Sequence, residues 1–391
     1  MNKKEVLEIR KQFSPANCAI TRICGCYVDH EKSKRLQSGE AFLSLPEEEA
    51  FKYFDIFKKT LSGTIGKNML NMEFPLEQEM PGGTQEFLLK LKNSKLQDDM
   101  LLEEFYDKVI ENYIYEENYY IILIHAMYDV PGKSSDDLEM YDASDVVYEY
   151  LLCSICPVSL SKAGLCYNAE DNRIEDRIRD WIVDMPDKGF LFPAFNDRNT
   201  DLHGVLYYTK KSSNLQEELI DQVLGAKMPM SADTQKETFQ ALIEDTLGED
   251  GDYETVRNIH DTLNDLIEEH KEESEPLALD KTDMRKIFEN SGVSNEQMES
   301  FDQVFEENAG EKTSLLAANI AETKKFHIET PDVVIKVNPE RSDLIETRMI
   351  DGRQCLVIPV DDHIEINGIH VRTMKRPGSI ERTQDTDPAE V

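Results

Sequence analysis

Across residues 217–311 the chain carries 27 Asp and Glu against 7 Lys and Arg, a net charge of −20 out of a total of −35. That density limits what the segment can fold into. Unpaired carboxylates are costly to bury, so they stay in water and leave one side of each element for packing. Amphipathic helices meet this demand, and the apolar spacing for them is present. Residues 215–224 close at Gly225, and Phe239, Leu242, Ile243 and Thr246 close at Gly248. Val256, Ile259, Leu263 and Ile267 mark a third helix, followed by a charged linker at 270–276 and shorter helices near 284–289 and 295–306.

The pattern changes downstream. Residues 324–376 hold nine basic and nine acidic residues and read in period two. Segments 344–350 and 353–360 flank Asp351-Gly352, and segments 364–366 and 369–371 flank Asn367-Gly368. Both dipeptides favour type I′ hairpin turns, because positive φ costs little for Asn, Asp and Gly. The second turn sets Ile366 opposite Ile369, Glu365 opposite His370, Ile364 opposite Val371 and His363 opposite Arg372. In the first hairpin Ile345, Met349, Leu356 and Ile358 are expected on the buried side, with Arg348, Arg353, Cys355 and Val357 opposite. The polar tail at 377–391 is expected to be disordered.

Upstream, helices and strands alternate. Residues 3–13 are helical, and the Cys-rich, β-branched stretch 18–28 is a strand. Ser44 and Glu47 form a capping-box pattern ahead of Ala50, Phe54, Phe57 and Leu61, and Leu102, Phe105, Val109 and Tyr113 repeat the helical spacing. Strands are predicted at 119–125, 146–155 and 205–209. The run 173–181 is predicted as a charged surface helix with Ile174, Ile178 and Trp181 on one side. Hydrophobic residues make up 40%, enough to build a core. The expected fold is α+β: a mixed α/β region at 1–213, an acidic helical region at 214–312, a C-terminal antiparallel β-hairpin module at 313–376 and the tail. The first residues lack the apolar core of a signal peptide, and the longest apolar run, near residues 119–124, falls short of the ~20 residues that span a bilayer. With an odd count of seven Cys, the expectation is a cytoplasmic protein with no membrane association.

Several constellations could carry chemistry. Cys24-x-Cys26 and Cys153-x-x-Cys156, with Cys166, have zinc-like spacing, but each pair sits in an apolar strand, where packing is the favoured explanation. His363, Glu365 and His370 would share one hairpin face and could hold a metal, although Arg372 beside them would repel a cation. No metal or other cofactor is therefore assigned. Ser62-Gly63-Thr64-Ile65-Gly66-Lys67-Asn68 has two residues between its glycines where a phosphate loop needs four. The hydrolase nucleophile elbow and the zincin motif are both lacking. The neutral C-terminal module gathers Lys324, Lys325, Lys336, Arg341, Arg348, Arg353, Arg372, Lys375 and Arg376 away from the acidic helices. Such segregation is compatible with an electrostatic face for nucleic acid, while the intermixed acids suit an evenly charged exposed hairpin.

Two resemblances add to this. The phrases at 17–26 (NCAITRICGC), 189–198 (GFLFPAFNDR) and 330–337 (TPDVVIKV) resemble a family from anaerobic gram-positive bacteria and some phages, recorded as a domain of unknown function. The resemblance covers nearly the full length and implies no activity. From about Tyr119 onward the element order is similar to the NdpA (YejK-like) nucleoid-associated proteins. Tyr150-Leu151-Leu152, Leu206-Tyr207-Tyr208, Leu224-Gly225-Ala226 with Gln235, Ala241 and Asp245, and a β module after Lys324-Lys325-Phe326 carry it. That resemblance implies a non-enzymatic DNA- or nucleoid-associated protein and supplies no binding residues.

The expected function is binding rather than catalysis, with DNA or a nucleoid or DNA-processing protein as partner through the C-terminal module. One alternative is an acidic interaction or DNA-mimic protein contacting a basic partner. A metal-dependent enzyme using His363, Glu365 and His370 or the cysteines is the other, and homo-oligomerisation stays open.

Overall fold

The apolar run at residues 119–124 becomes the first half of a central strand, Tyr119–Val130, packed on both faces. The structure, a computed structural model, describes residues 1–133, 139–140, 146–248, 251–322, 325–359, 363–366 and 368–372. In chain order, the first part comprises α1 (Lys3–Arg10), β1 (Ile20–Val28), β2 (Lys34–Ala41), α2 (Glu47–Thr60), β3 (Met69–Glu73), α3 (Thr84–Asn93) and α4 (Asp99–Asn112). It continues with β4 (Tyr119–Val130), β5 (Val146–Leu160), β6 (Leu165–Asn168), β7 (Arg173–Asp176), β8 (Trp181–Val183), β9 (Lys188–Phe192) and β10 (Gly204–Thr209). An eight-stranded antiparallel sheet runs in the order β2-β1-β4-β5-β9-β10-β3, with β8 added to the end of β5.

Both faces of this sheet are covered, which is why its inner strands are continuously apolar. Ile121, Leu123, Leu151, Cys153, Phe190 and Tyr207 point toward α3, α4 and the segment Leu215–Ala226. Ile122, Ile124, Tyr150, Leu152, Leu191 and Tyr208 point toward α1 and α2. Each fully buried aliphatic side chain contributes about 1.5–3 kcal/mol relative to exposure. Gly25 on β1 lies under the Tyr120 ring, where an added Cβ would stand 1.9 Å from the phenol oxygen.

Two local expectations are corrected. Ser44 does not cap α2: its hydroxyl donates to Ala41 O (2.6 Å) within a 3-10 turn, and Pro46 takes the N-cap place. Residues 173–181 are not a helix. Arg173–Asp176 pair with Leu165–Asn168 as a hairpin, and Trp181–Val183 pair with β5. The turn explains it: the Asn168 side chain accepts from the Glu170 and Asp171 amides, and Asn172 takes φ +48°. That side-chain closure competes with helix formation, and Ile174, Ile178 and Trp181 end up exposed.

The acidic stretch forms a separate helical core. It contains α5 (Ala232–Leu247), α6 (Tyr253–Glu269), α7 (Lys281–Asn290) and α8 (Phe301–Asn308). Phe239, Leu242, Ile259, Leu263, Phe288 and Phe301 fill it, with Leu315 and Ile320 closing it. Ser231 and Asp252 cap α5 and α6 through their side chains, and Gly248 ends α5 at φ +58°. The segment 215–224 folds as expected and stops at Gly225, although its second half is a π-helical turn packed on the sheet.

Beyond residue 325 the chain makes three separate two-stranded hairpins: β11 (Phe326–Glu329) with β12 (Val334–Val337), β13 (Glu346–Ile350) with β14 (Arg353–Val357), and β15 (His363–Ile366) with β16 (Ile369–Arg372). The Asp351-Gly352 turn has φ of +51° and +76°, as type I′ geometry requires. The registers are those expected, down to Glu365 opposite His370 and His363 opposite Arg372. The expected buried side of the first hairpin is corrected: Ile345 is buried, but Met349 is 70% exposed and Ile358 is exposed too. Among the described residues β13 and β14 pair only with each other, and on the Met349 face Leu356 is half-buried. The fold is α+β. The expected tail lies outside the described residues.

Candidate functional site

The C-terminal cations come first. Lys325 and Lys336 are exposed, Lys336 opposite His327. Arg341 Nε reaches Asp343 Oδ1 (3.4 Å), and Arg348 Nη2 reaches Glu346 Oε2 (2.5 Å). Arg353 is exposed and, by register, shares a face with Arg348 and Cys355. Arg372 closes β16, while Lys324, Lys375 and Arg376 lie outside the described residues. The six described cations are thus spread over three hairpins and a turn, and two of them are held by neighbouring carboxylates.

The metal-like constellations separate. The backbone register brings His363, Glu365 and His370 onto adjacent pairs, but no trio of His, Cys, Asp or Glu among the described residues has the geometry of a metal site. Cys24, Cys26 and Cys153 face the α3–α4 side of the sheet and Cys156 faces the other, so the two pairs cannot close on one ion. Burial pushes the Cys26 thiol up to about 12, which keeps it protonated and inert.

A polar relay absent from the sequence reading crosses β1, β4, β5 and α3. Thr21 is the extra residue of a β-bulge opposite His125. Its hydroxyl lies 2.6 Å from His125 Nδ1, His125 Nε2 lies 2.9 Å from Glu149 Oε1, and Lys92 Nζ donates to Glu149 Oε2 (3.0 Å). Desolvation lowers the pKa of the fully buried His125, so the ring is neutral. The carboxylate then fixes the proton on Nε2, leaving Nδ1 to accept from the hydroxyl. The order hydroxyl–imidazole–carboxylate suits a base-assisted nucleophile. However, the one Thr21 hydroxyl proton is divided between Nδ1 and the His125 carbonyl (3.1 Å), so ring and backbone of one residue clasp it. A buried polar link that closes the bulge accounts for every one of these contacts. A second knot joins Lys188, fully buried, to Asp187 (2.7 Å), which also accepts from the Tyr113 hydroxyl (3.3 Å).

An opening of about 990 Å³ lies between α4 and the strand β2. Asp98 caps α4 by accepting from the Met100 and Leu101 amides. Asp99, Glu103, Asp107 and Glu111 then follow at four-residue intervals along one flank. Repeated like charges at that spacing destabilise a helix by a few tenths of a kcal/mol per pair. Lys34 of β2 offsets part of this by bridging Glu103 and Asp107, and Lys108 pairs with Glu104 (3.2 Å). Across the opening stand Gln37, Ser38 and Gly39 of β2 together with Arg22. β2 pairs with β1 alone, so its outer side is an open sheet edge among the described residues. The four-residue spacing in α4 was available in the sequence; the strand edge facing it was not.

No helix among the described residues is long and apolar enough to cross a membrane. The chain belongs to the family described as Domain of unknown function (DUF4317), whose match spans residues 1–369. No curated protein matches it.

Proposed function

We propose that this family member is a non-enzymatic binding protein that docks an extended basic polypeptide segment in the groove between α4 and β2. The observation that carries this reading is the row Asp99, Glu103, Asp107 and Glu111 facing the open edge at Gln37–Gly39. An added strand would bond to the β2 edge while its Lys or Arg side chains reach the helix carboxylates, so backbone supplies affinity and charge supplies choice. Lys34 leaves Asp99 and Glu111 outside its own bridges, at the two ends of the row. Titrating the full chain with a Lys-rich peptide in a calorimeter tests it. Binding that weakens with salt, and falls about tenfold or more in Asp99→Lys/Glu111→Lys, is expected; unchanged binding in that variant removes the groove from the reading.

A DNA-associated role through the C-terminal hairpins is the second reading, favoured by Arg348 and Arg353 on one exposed face of β13 and β14. Its arm of the experiment is a 20-base-pair duplex at low salt. Binding abolished by Arg348→Glu/Arg353→Glu would put this reading first; no binding, or no loss in that variant, would discard it.

A further inference from the structure

Residues 161–187 leave the sheet as the β6–β7 hairpin and return as β8, which continues the line of β9 along β5. Inward bonds are made by alternate residues: Ser161 N–H donates to Asp180 O (2.8 Å) and Asp184 N–H to Pro157 O (2.8 Å). By the antiparallel pattern, Ile182 also faces β5, while Trp181 and Val183 aim their N–H and C=O groups the other way. β10 covers the neighbouring part of that side along β9, but it stops at Thr209, and Lys210 N–H bonds to Asp187 O (2.9 Å) as the chain turns off. Among the described residues β8 therefore pairs with β5 alone, and Trp181, Ile182 and Val183 are all exposed.

An uncovered apolar edge is a template for another strand. The flanking charges decide which strand. Asp180, Ile182 and Asp184 share one face, and Trp181 and Val183 share the other. Self-pairing of two copies about Ile182 would exchange the bonds of Trp181 and Val183, but it would also set Asp180 opposite the second copy's Asp184 twice, and directly opposed like charges destabilise a sheet. A strand with Lys or Arg opposite both aspartates and a β-branched residue between them satisfies every position instead. Lys210 and Lys211, where β10 ends, bound the opening on its β9 side.

We propose that β8 is a docking edge for an extended segment of a partner protein with the pattern cation–x–aliphatic–x–cation, added antiparallel to Trp181–Val183. This inference does not rest on the α4–β2 reading, since it uses none of that groove's residues.

Trp181 is the chain's single tryptophan, so its emission reports on this edge alone. The experiment titrates the full chain with a nine-residue peptide centred on Lys-Thr-Val-Thr-Lys and with the same peptide carrying Glu for Lys. A blue shift with the Lys peptide is expected, about tenfold weaker or absent with the Glu peptide. Asp180→Lys/Asp184→Lys should reverse that preference. Val183→Pro, which removes an outward N–H and leaves the bonds to β5 in place, should abolish both responses with the far-UV spectrum unchanged. Equal responses to the two peptides, no response to either, or retention of binding in Val183→Pro would overturn the proposal. Sedimentation showing a dimer lost in Val183→Pro would also overturn it, assigning the edge to a second copy.

Discussion

The central sheet and the C-terminal hairpins are both antiparallel β-structure, yet they are held together by different means. In the sheet, β4 and β5 are buried along most of their length between helices on both faces. In the hairpins, the described registers are in place while the apolar faces stay partly open. Two-stranded hairpins are marginal on their own in water. Turn chemistry therefore suffices to define pairing, whereas a second layer is needed to make that pairing cooperative.

The largest effect should separate the regions outright. Leu152→Ala, in the sheet, is expected to cost about 2–5 kcal/mol in urea unfolding. Met349→Ala should fall within about 0.5 kcal/mol, as an exposed substitution. Equal losses would place the hairpin inside the cooperative unit and break the contrast.

A pH series sharpens it next. His125 has its pKa lowered by burial from 6.5, so the unfolded chain binds the proton more readily than the folded one. Stability should hold above pH 6.5 and fall as the pH drops below it, down to the folded value. His125→Gln should be less stable at neutral pH and lose that slope. Glu149, lowered mainly through Lys92 against its own desolvation, adds a further loss only on acidification below 4.5. A slope that survives the substitution would move the titration elsewhere.

The smallest effect is local. Gly352 sits at φ +76° with open space around it, so Gly352→Ala meets backbone strain alone. About 1 kcal/mol is expected, read as faster amide exchange across β13 and β14 with global unfolding unchanged. A shift in the global transition would again tie the hairpin to the core.

Legibility in the sequence followed the same divide. The type I′ turn at Asp351-Gly352, the registers of the last two hairpins and the helices of the acidic segment were readable, because each rests on residues close in sequence; Asn367 of the second expected turn lies outside the described residues. Residues 173–181 misled because Ile174, Ile178 and Trp181 fit helical spacing, while the Asn168 side chain and positive φ at Asn172 commit the chain to a hairpin. Met349 alternated correctly, but alternation cannot say whether a second layer exists. The α4 carboxylates were readable as a row and gained meaning only beside β2. The Thr21–His125–Glu149–Lys92 relay draws on four separate elements and had no local signature.

The strand order also has a consequence for synthesis. β3 ends at Glu73, but its partner in the sheet among the described residues, β10, begins at Gly204. At ribosomal rates of roughly 5–20 residues per second, the wait between the two is on the order of ten seconds. Through that interval Leu70 and Met72, buried in the finished protein, have no strand beside them. That margin of the sheet is therefore completed only after Gly204–Thr209 has been synthesised.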